Sequence, residues 1–551
     1  MFVKARLIVA SFVLTMTAAS ATAHATSILV NSAWDPSDPP RCTLHDAIIA
    51  ANTGTAVNGC RAGSGNDVIS FSSGSKITLQ ATLPPIERTL QINGRPTQPK
   101  TVINGNNSVQ IMVIDSTAMV ILSNLTFTNG APGSLGGPFV GGASIINNGD
   151  VSINASVFTN SNFDAGGSGV LGAAIYNNGG LRLSNSTITN NVAITTGVAL
   201  GTVLNQANTP VTITNCKFSG NKLSGSNAAQ GTVYQSSFSP MTVENSSFTD
   251  NHVTSSNGTS FGGAIAQSAF GLITVRNCAF MNDSAQSINE DAFGGAIGNG
   301  GKNIEIDNST FTSNSASSTN GTAYGGAIGG VGQSMTISGD TFIGNSVSGG
   351  AGASAVAGGG VGSTVTSTTT IINCTFYKNA ASGIAGDVFG GGAGLEGSNS
   401  VFFSTFLDNS ATNNGGSAIG GNFAASDITI VIANSVLAGS GAGGNCGGTF
   451  TDGGYNLSDD ATCAFSAIGS RNSINPKLAT RPASNGGPTQ TIALMHGSPA
   501  IDKIPHASCV DSNGDPVTID QRGKPRPDRG DGPSGPCDIG AYEYQDPAFP
   551  P

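Results

Sequence analysis

Charged side chains are scarce in this chain. Asp, Glu, Lys and Arg make up 10% of its 551 residues, well under half the share of an average soluble domain. Lys and Arg number 22 against 32 Asp and Glu, which speaks against the basic footprint of a nucleic-acid binder. Coiled coils need Glu, Lys, Leu and Ala in bulk, and these are missing. The five His are scattered and no C-x-x-C occurs, so no zinc site and no cofactor are expected. After the first 25 residues no apolar run is long enough to cross a bilayer.

Glycine, in contrast, is abundant: 78 residues, about 14% of the chain, roughly twice its usual share. Gly and Pro together stay below the level that marks low-complexity disorder. A folded chain with a polar, uncharged surface is expected. Lys4 and Arg6, the apolar stretch Leu7 to Met16 and Ala23-His24-Ala25 read as a secretory signal with cleavage near Ala25. Its removal changes the net charge from −10 to −12. Nine cysteines in an exported chain imply disulfides and at least one free thiol. Proximity suggests Cys42 with Cys60, Cys446 with Cys463 and Cys509 with Cys537, although spacing alone leaves the pairing open.

The middle of the chain is periodic, which decides the fold. Apolar anchors recur at Phe127, Phe158, Ile188, Phe218, Phe248, Phe280, Phe311, Phe342, Phe376, Phe406 and Leu437, a mean interval of 31 residues. Five residues before every anchor stands an aliphatic residue, and two before stands Ser or Cys in nine of the eleven units. In Val211-Thr212-Ile213-Thr214-Asn215-Cys216-Lys217-Phe218 the alternation slips by one residue. A strand keeps its faces at period two, so the chain must bend at Asn215. That bend position is Asn in eight units and Gly339 in a ninth, with Ala155 and Phe403 as exceptions. Asn and Gly enter the left-handed region at least cost.

A second motif, Gly262-Gly263-Ala264-Ile265 and its copies at 294–297 and 325–328, precedes each anchor, and Asn follows most anchors by three residues. Each unit therefore has two strand regions, one bent, and must stack on its neighbours to bury its apolar row. The expected fold is all-β: a right-handed parallel β-helix of about eleven core coils, capped at both ends, with the hand following from the usual crossover. Cys216, Cys278 and Cys374 stand two residues before anchors that lie two and three coils apart, too far for a disulfide.

The repeated Gly-Gly-Ala-Ile and Phe-x-x-Asn pairs resemble those of polymorphic outer-membrane proteins and other pectin-lyase-like β-helices. The stretch Cys42-Thr43-Leu44-His45-Asp46-Ala47-Ile48-Ile49-Ala50-Ala51-Asn52 is similar to the CSLREA domain of bacterial exported proteins, with Thr for Ser, His for Arg and Asp for Glu. Gly486-Gly487-Pro488-Thr489, Gly497-Ser498-Pro499-Ala500-Ile501-Asp502, Asp520-Gln521-Arg522-Gly523 and Cys537-Asp538-Ile539-Gly540-Ala541-Tyr542-Glu543 resemble the choice-of-anchor Q domain. These resemblances divide the chain into a signal (1–25), an N-terminal cap with the first coils (26–118), the repeats (119–445) and a disulfide-closed C-terminal cap (446–551). Leu44, Ala47, Ile48 and Ala51 are spaced for one helical face with Thr43 as N-cap, suited to cover the first coil. Asp520, Arg522, Arg526, Asp538 and Glu543 are expected to form a charge network in the C-terminal cap. The last eight residues hold no hydrophobic tail or sorting motif, which favours release or non-covalent retention.

For chemistry, the Asn-Thr-Asp and Gly-His-Gly motifs of polygalacturonase-type hydrolases are absent. One charged cluster emerges at outward positions of successive coils: Glu244, Arg276 and Asp307, with Glu305 beside Asp307. It offers weak candidates for catalysis or sugar binding, and reads first as a surface charge ladder. Asp511-Ser512-Asn513-Gly514-Asp515 carries the oxygen ligands of a Ca²⁺ loop at Asp511, Asn513 and Asp515 but lacks EF-hand spacing, and reads first as a polar turn. The expected function is non-enzymatic adhesion or interaction at a cell surface or outside the cell, with polysaccharide or a neighbouring cell surface as partner. A polysaccharide lyase or hydrolase and a purely structural rod are the alternatives.

Overall fold

A computed structural model describes residues 25–545 except 73–75, 333, 529 and 531. The expected signal at 1–25 lies, but for its last residue, outside the described residues, as do the last six residues of the chain. The chain forms a parallel β-solenoid. One coil contains five short strands, Ser260–Phe261, Ile265–Gln267, Leu272–Arg276, Ala279–Met281 and Ser284–Ser287. Each pairs in parallel with its equivalent one coil later. The two strand regions read from the sequence are thus broken into five.

The breaks are left-handed corners. All eleven bend positions have positive φ, from Asn124 at 57° to Asn434 at 54°, and the two exceptions in sequence, Ala155 (49°) and Phe403 (45°), bend with the rest. A second corner lies two residues after each anchor, as at Asn190, Asp250, Ser313 and Lys378, and the sequence pattern did not reveal it. The third corner is the first Gly of the Gly-Gly motif, Gly262, Gly294 and Gly325. A Cβ on Gly294 would lie 1.8 Å from the carbonyl oxygen of Ile297, so no other residue fits there.

Corners that repeat in register stack like side chains into columns. The anchor rings lie face to face, with centroids 4.7 Å apart for Phe218 and Phe248 and 4.5 Å for Phe376 and Phe406. The Asn three residues after most anchors form a buried ladder: Asn221 Nδ2 donates to Asn251 Oδ1 at 2.9 Å, and Asn345 Nδ2 to Asn379 Oδ1 at 2.9 Å. One rung is Asp283, which accepts from Asn251 Nδ2 at 2.8 Å. A large core of aliphatic residues and Phe fills one side of the coil, and small clusters of Ala and Val fill the other.

At the first coil, helix Leu44–Thr53 packs on strand Ser27–Val30, with Leu44, Ala47, Ile48 and Ala51 buried. Thr43 Oγ1 accepts from the Asp46 amide at 3.1 Å. A disulfide joins Cys42 to Cys60. At the far end the Phe column turns edge-on through Phe423, Phe450 and Phe465, held by Cys446–Cys463.

The rest of the C-terminal segment departs from expectation. Instead of covering the end, it lies along the flank of the last coils. Gln521 Nε2 donates to the Asp340 carbonyl at 3.1 Å, Thr375 Oγ1 donates to Gln521 Oε1 at 2.6 Å, and the Gly540 amide donates to the Asn434 carbonyl at 2.8 Å. The physical reason is a second apolar cluster on that flank, built from Phe402, Phe403, Val436 and Leu457 together with Leu494, Ile504 and Ile539. Phe403 departs from the Asn column because it is covered, with the Arg526 guanidinium 4.5 Å from its ring centre. The expected charge network forms beneath this contact. Arg522 pairs with Asp520 at 2.7 Å and Arg526 with Glu543 at 3.0 Å, all nearly fully buried. Burial raises the carboxyls of Asp538 and Glu543, and the Arg526 guanidinium acts against that rise. The third disulfide, Cys509–Cys537, closes the segment.

Candidate functional site

Charged side chains gather on one exposed surface, the outward side of the strands equivalent to Leu272–Arg276. A strand alternates its faces, so Ile273 and Val275 are buried while Arg276 points out. Register sets Glu244 opposite Arg276, and Arg276 opposite Asp307. The guanidinium lies 3.6 Å from Glu244 Oε1 and 3.9 Å from Glu305 Oε2. Arg276 is 44% exposed, so solvent screens both pairs and each contributes at most about 1 kcal/mol. Burial raises the Asp307 carboxyl above its ordinary value, while Arg276 and a 2.9 Å hydrogen bond from Asn308 Nδ2 act against that. The structure thus brings all four residues of this ladder together, open to solvent.

Four coils upstream of Glu305, the same column of outward positions holds a second charged station. Arg182, Thr212, Thr242, Thr274 and Glu305 follow one another in register. Arg182 Nη1 donates to Asp150 Oδ1 at 2.8 Å. This pair lies at the end of a depression of about 570 Å³, lined among others by Thr117, Met119, Asn148, Asn178, Thr209 and Pro210. Sequence reasoning missed it. Asp150 and Arg182 stand at outward positions one coil apart, which is the available signal, but the depression depends on turn lengths in neighbouring coils.

The loop Asp511–Asp515 stands apart from both stations, in the flanking C-terminal segment. Asp511 Oδ1 accepts the amides of Asn513 at 2.8 Å and Asp515 at 3.0 Å. That oxygen serves the turn itself. Among the described residues, no three His, Cys, Asp or Glu side chains converge as a metal-binding group, and no helix is long and apolar enough to cross a membrane. Cys216, Cys278 and Cys374 are free and buried.

No protein-family model, curated protein or solved structure matches this chain.

Proposed function

We propose that this is an exported protein that recognises polysaccharide through the outward face of its solenoid without cleaving it. The observation that carries this reading is the in-register outward column of Arg182, Thr212, Thr242, Thr274 and Glu305, exposed at its two charged ends, with the Arg276 ladder beside it. Coils repeat every ~4.8 Å, close to the rise of one unit in an extended sugar chain, so hydroxyls and charges recur in step with such a ligand. The ladder holds one guanidinium among three carboxylates on an open surface, whereas a hydrolase needs a protonated acid and a base flanking an enclosed bond. Three disulfides fit an oxidising compartment. The resemblance of the two ends to CSLREA and choice-of-anchor Q domains supports export in a bacterium, and the right-handed winding of related solenoids is part of the same proposal.

Affinity electrophoresis in gels cast with plant and microbial polysaccharides tests this, run beside reducing-sugar and unsaturated-uronate assays on pectin and alginate. Retardation without product is expected. Turnover that disappears in a folded Arg276→Ala variant overturns the non-catalytic reading, and mobility unchanged by every polysaccharide overturns the binding reading.

A further inference from the structure

The depression beside Asp150 and Arg182 has an origin in turn length. Between the two strands that precede each bend, successive coils use turns of different size. The turn is four residues between Met112–Ile114 and Met119–Ser123. It falls to two residues, Asn148-Gly149 and Asn178-Gly179, in the next two coils. It then rises to five between Val203–Asn205 and Val211–Thr214, and to five again between Val233–Gln235 and Met241–Glu244. The long turns stand above the short ones. The result is a saddle two coils wide, roughly 10 Å at the parallel-strand spacing. Ser116 to Met119 form one wall and Thr209 to Thr212 the other.

The floor is held rigid from below. Asn147, Asn177 and Asn205 form a buried amide ladder, with Asn147 Nδ2 donating to Asn177 Oδ1 at 2.6 Å and Asn177 Nδ2 to Asn205 Oδ1 at 2.7 Å. Asn177 Nδ2 also donates to the Gly179 carbonyl at 2.8 Å. Gly180 keeps the end of the saddle open, because a Cβ there would lie 2.7 Å from Asp150 Oδ1.

We infer that this saddle is a binding site for a short stretch of neutral saccharide. The inference rests on the polysaccharide-recognition reading above and names its site and ligand class. A sugar ring needs acceptors and donors for adjacent hydroxyls and an apolar edge for its C–H face. The saddle supplies a carboxylate, a guanidinium, two side-chain amides and Thr hydroxyls in a concave frame. Met119, 59% exposed, and Ile121, 40% exposed, give the apolar edge where a smaller groove continues past Gln91 and Ser152. The ligand is neutral because, among the described residues, Asp150 and Arg182 are the only charged ones that line the saddle, and at 2.8 Å they balance each other. The Arg276 ladder, with three carboxylates to one guanidinium, repels a polyuronate along the same face.

The test titrates the full chain by calorimetry with cello-, laminari-, malto-, xylo- and manno-oligosaccharides, and with oligogalacturonate as the acidic counterpart. At least one neutral series is expected to bind, with little dependence on salt. Affinity should fall about ten-fold or more in Arg182→Ala and in Asp150→Asn, vanish in Thr117→Trp, which fills the saddle from its rim, and stay unchanged in Arg481→Ala, an exposed residue of the C-terminal segment. Arg182 is a surface side chain, 63% exposed, so its variant should melt as the parent does. Preference for oligogalacturonate, or binding that survives all three saddle variants, overturns this inference and leaves polysaccharide recognition standing elsewhere on the face. Failure of the whole oligosaccharide panel while polysaccharides retard the protein also overturns the saddle alone. Failure of both overturns the two readings together.

Discussion

Single residues carry the bends. An L-residue other than Gly held at positive φ costs roughly 1–2 kcal/mol, and Asn bears this best. Asn245 (φ 50°) should therefore tolerate Gly with a small loss, while Asn245→Val should lose about 1–2 kcal/mol more. By the same argument Ala155→Gly should raise stability by about 0.5–1 kcal/mol, since Ala155 already sits at 49°. Thermal melts check both; equal losses for Gly and Val at 245 would remove the bend argument. Asp283 is a residue-scale anomaly of another kind. Its Oδ1 accepts from Asn251, but its Oδ2 has no partner and occupies the place from which its neighbours donate an amide. Burial pushes its carboxyl up to about 8, so the folded chain holds a proton there and mimics Asn. Between pH ~4 and ~8 the unfolded chain has released that proton and the folded chain has not, so stability falls as pH rises through this window and levels above it. The melting-temperature gap between Asp283→Asn and the parent should be small at pH 4, widen to pH 8 and then stay flat. A gap constant with pH would mean that Asp283 is not the proton-bearing rung.

At the scale of the element, the columns explain both the strands and the thiols. Ser246 Oγ accepts the Cys216 amide at 3.0 Å and donates to the Glu244 carbonyl at 2.8 Å. Cys216 and Cys278 flank Ser246 in this column, and Ser309 and Asp340 separate Cys278 from Cys374. Burial pushes the thiols of Cys216 and Cys278 up to about 11 and about 12, and that of Cys374 well above its ordinary value. A thiol so far from ionising is a poor nucleophile. A maleimide should label almost nothing in the native protein and three sites per chain after denaturation without reductant. Mass spectrometry that finds any two of these three joined would break the coil register. The anchor column was legible because nine of its eleven residues are Phe and the other two, Ile188 and Leu437, are also large and apolar. The second corner column was less legible, because its residue type is mixed: Asn in four units, Gly in three, Asp250 and Asp408, and the unusual Ser313 and Lys378.

On the scale of the whole molecule, the flank decides how the C-terminal segment attaches. Phe403 is fully buried between the last coils and the segment that holds Arg526. Phe403→Asn restores the Asn column and removes the apolar contact, so it should cost about 3 kcal/mol and release the segment before the coils melt. Hydrogen exchange should then rise across 476–545 while the stacked strands stay protected. Uniform loss across both parts would mean that the segment and the solenoid unfold as one unit.

The sequence alone determined the periodic, in-register solenoid, its bend column, the helix over the first coil and the register that places Glu244, Arg276 and Asp307 side by side. All of these follow from residue type at a fixed period, because parallel stacking turns sequence spacing into contact. Only the tertiary structure decided where the C-terminal segment lies and where the saddle opens. The first depends on which flank is apolar, and Phe403 stood in the sequence as an unexplained exception. The second depends on differences in turn length between adjacent coils, and a depression exists only as a difference in height among neighbours that no single repeat contains.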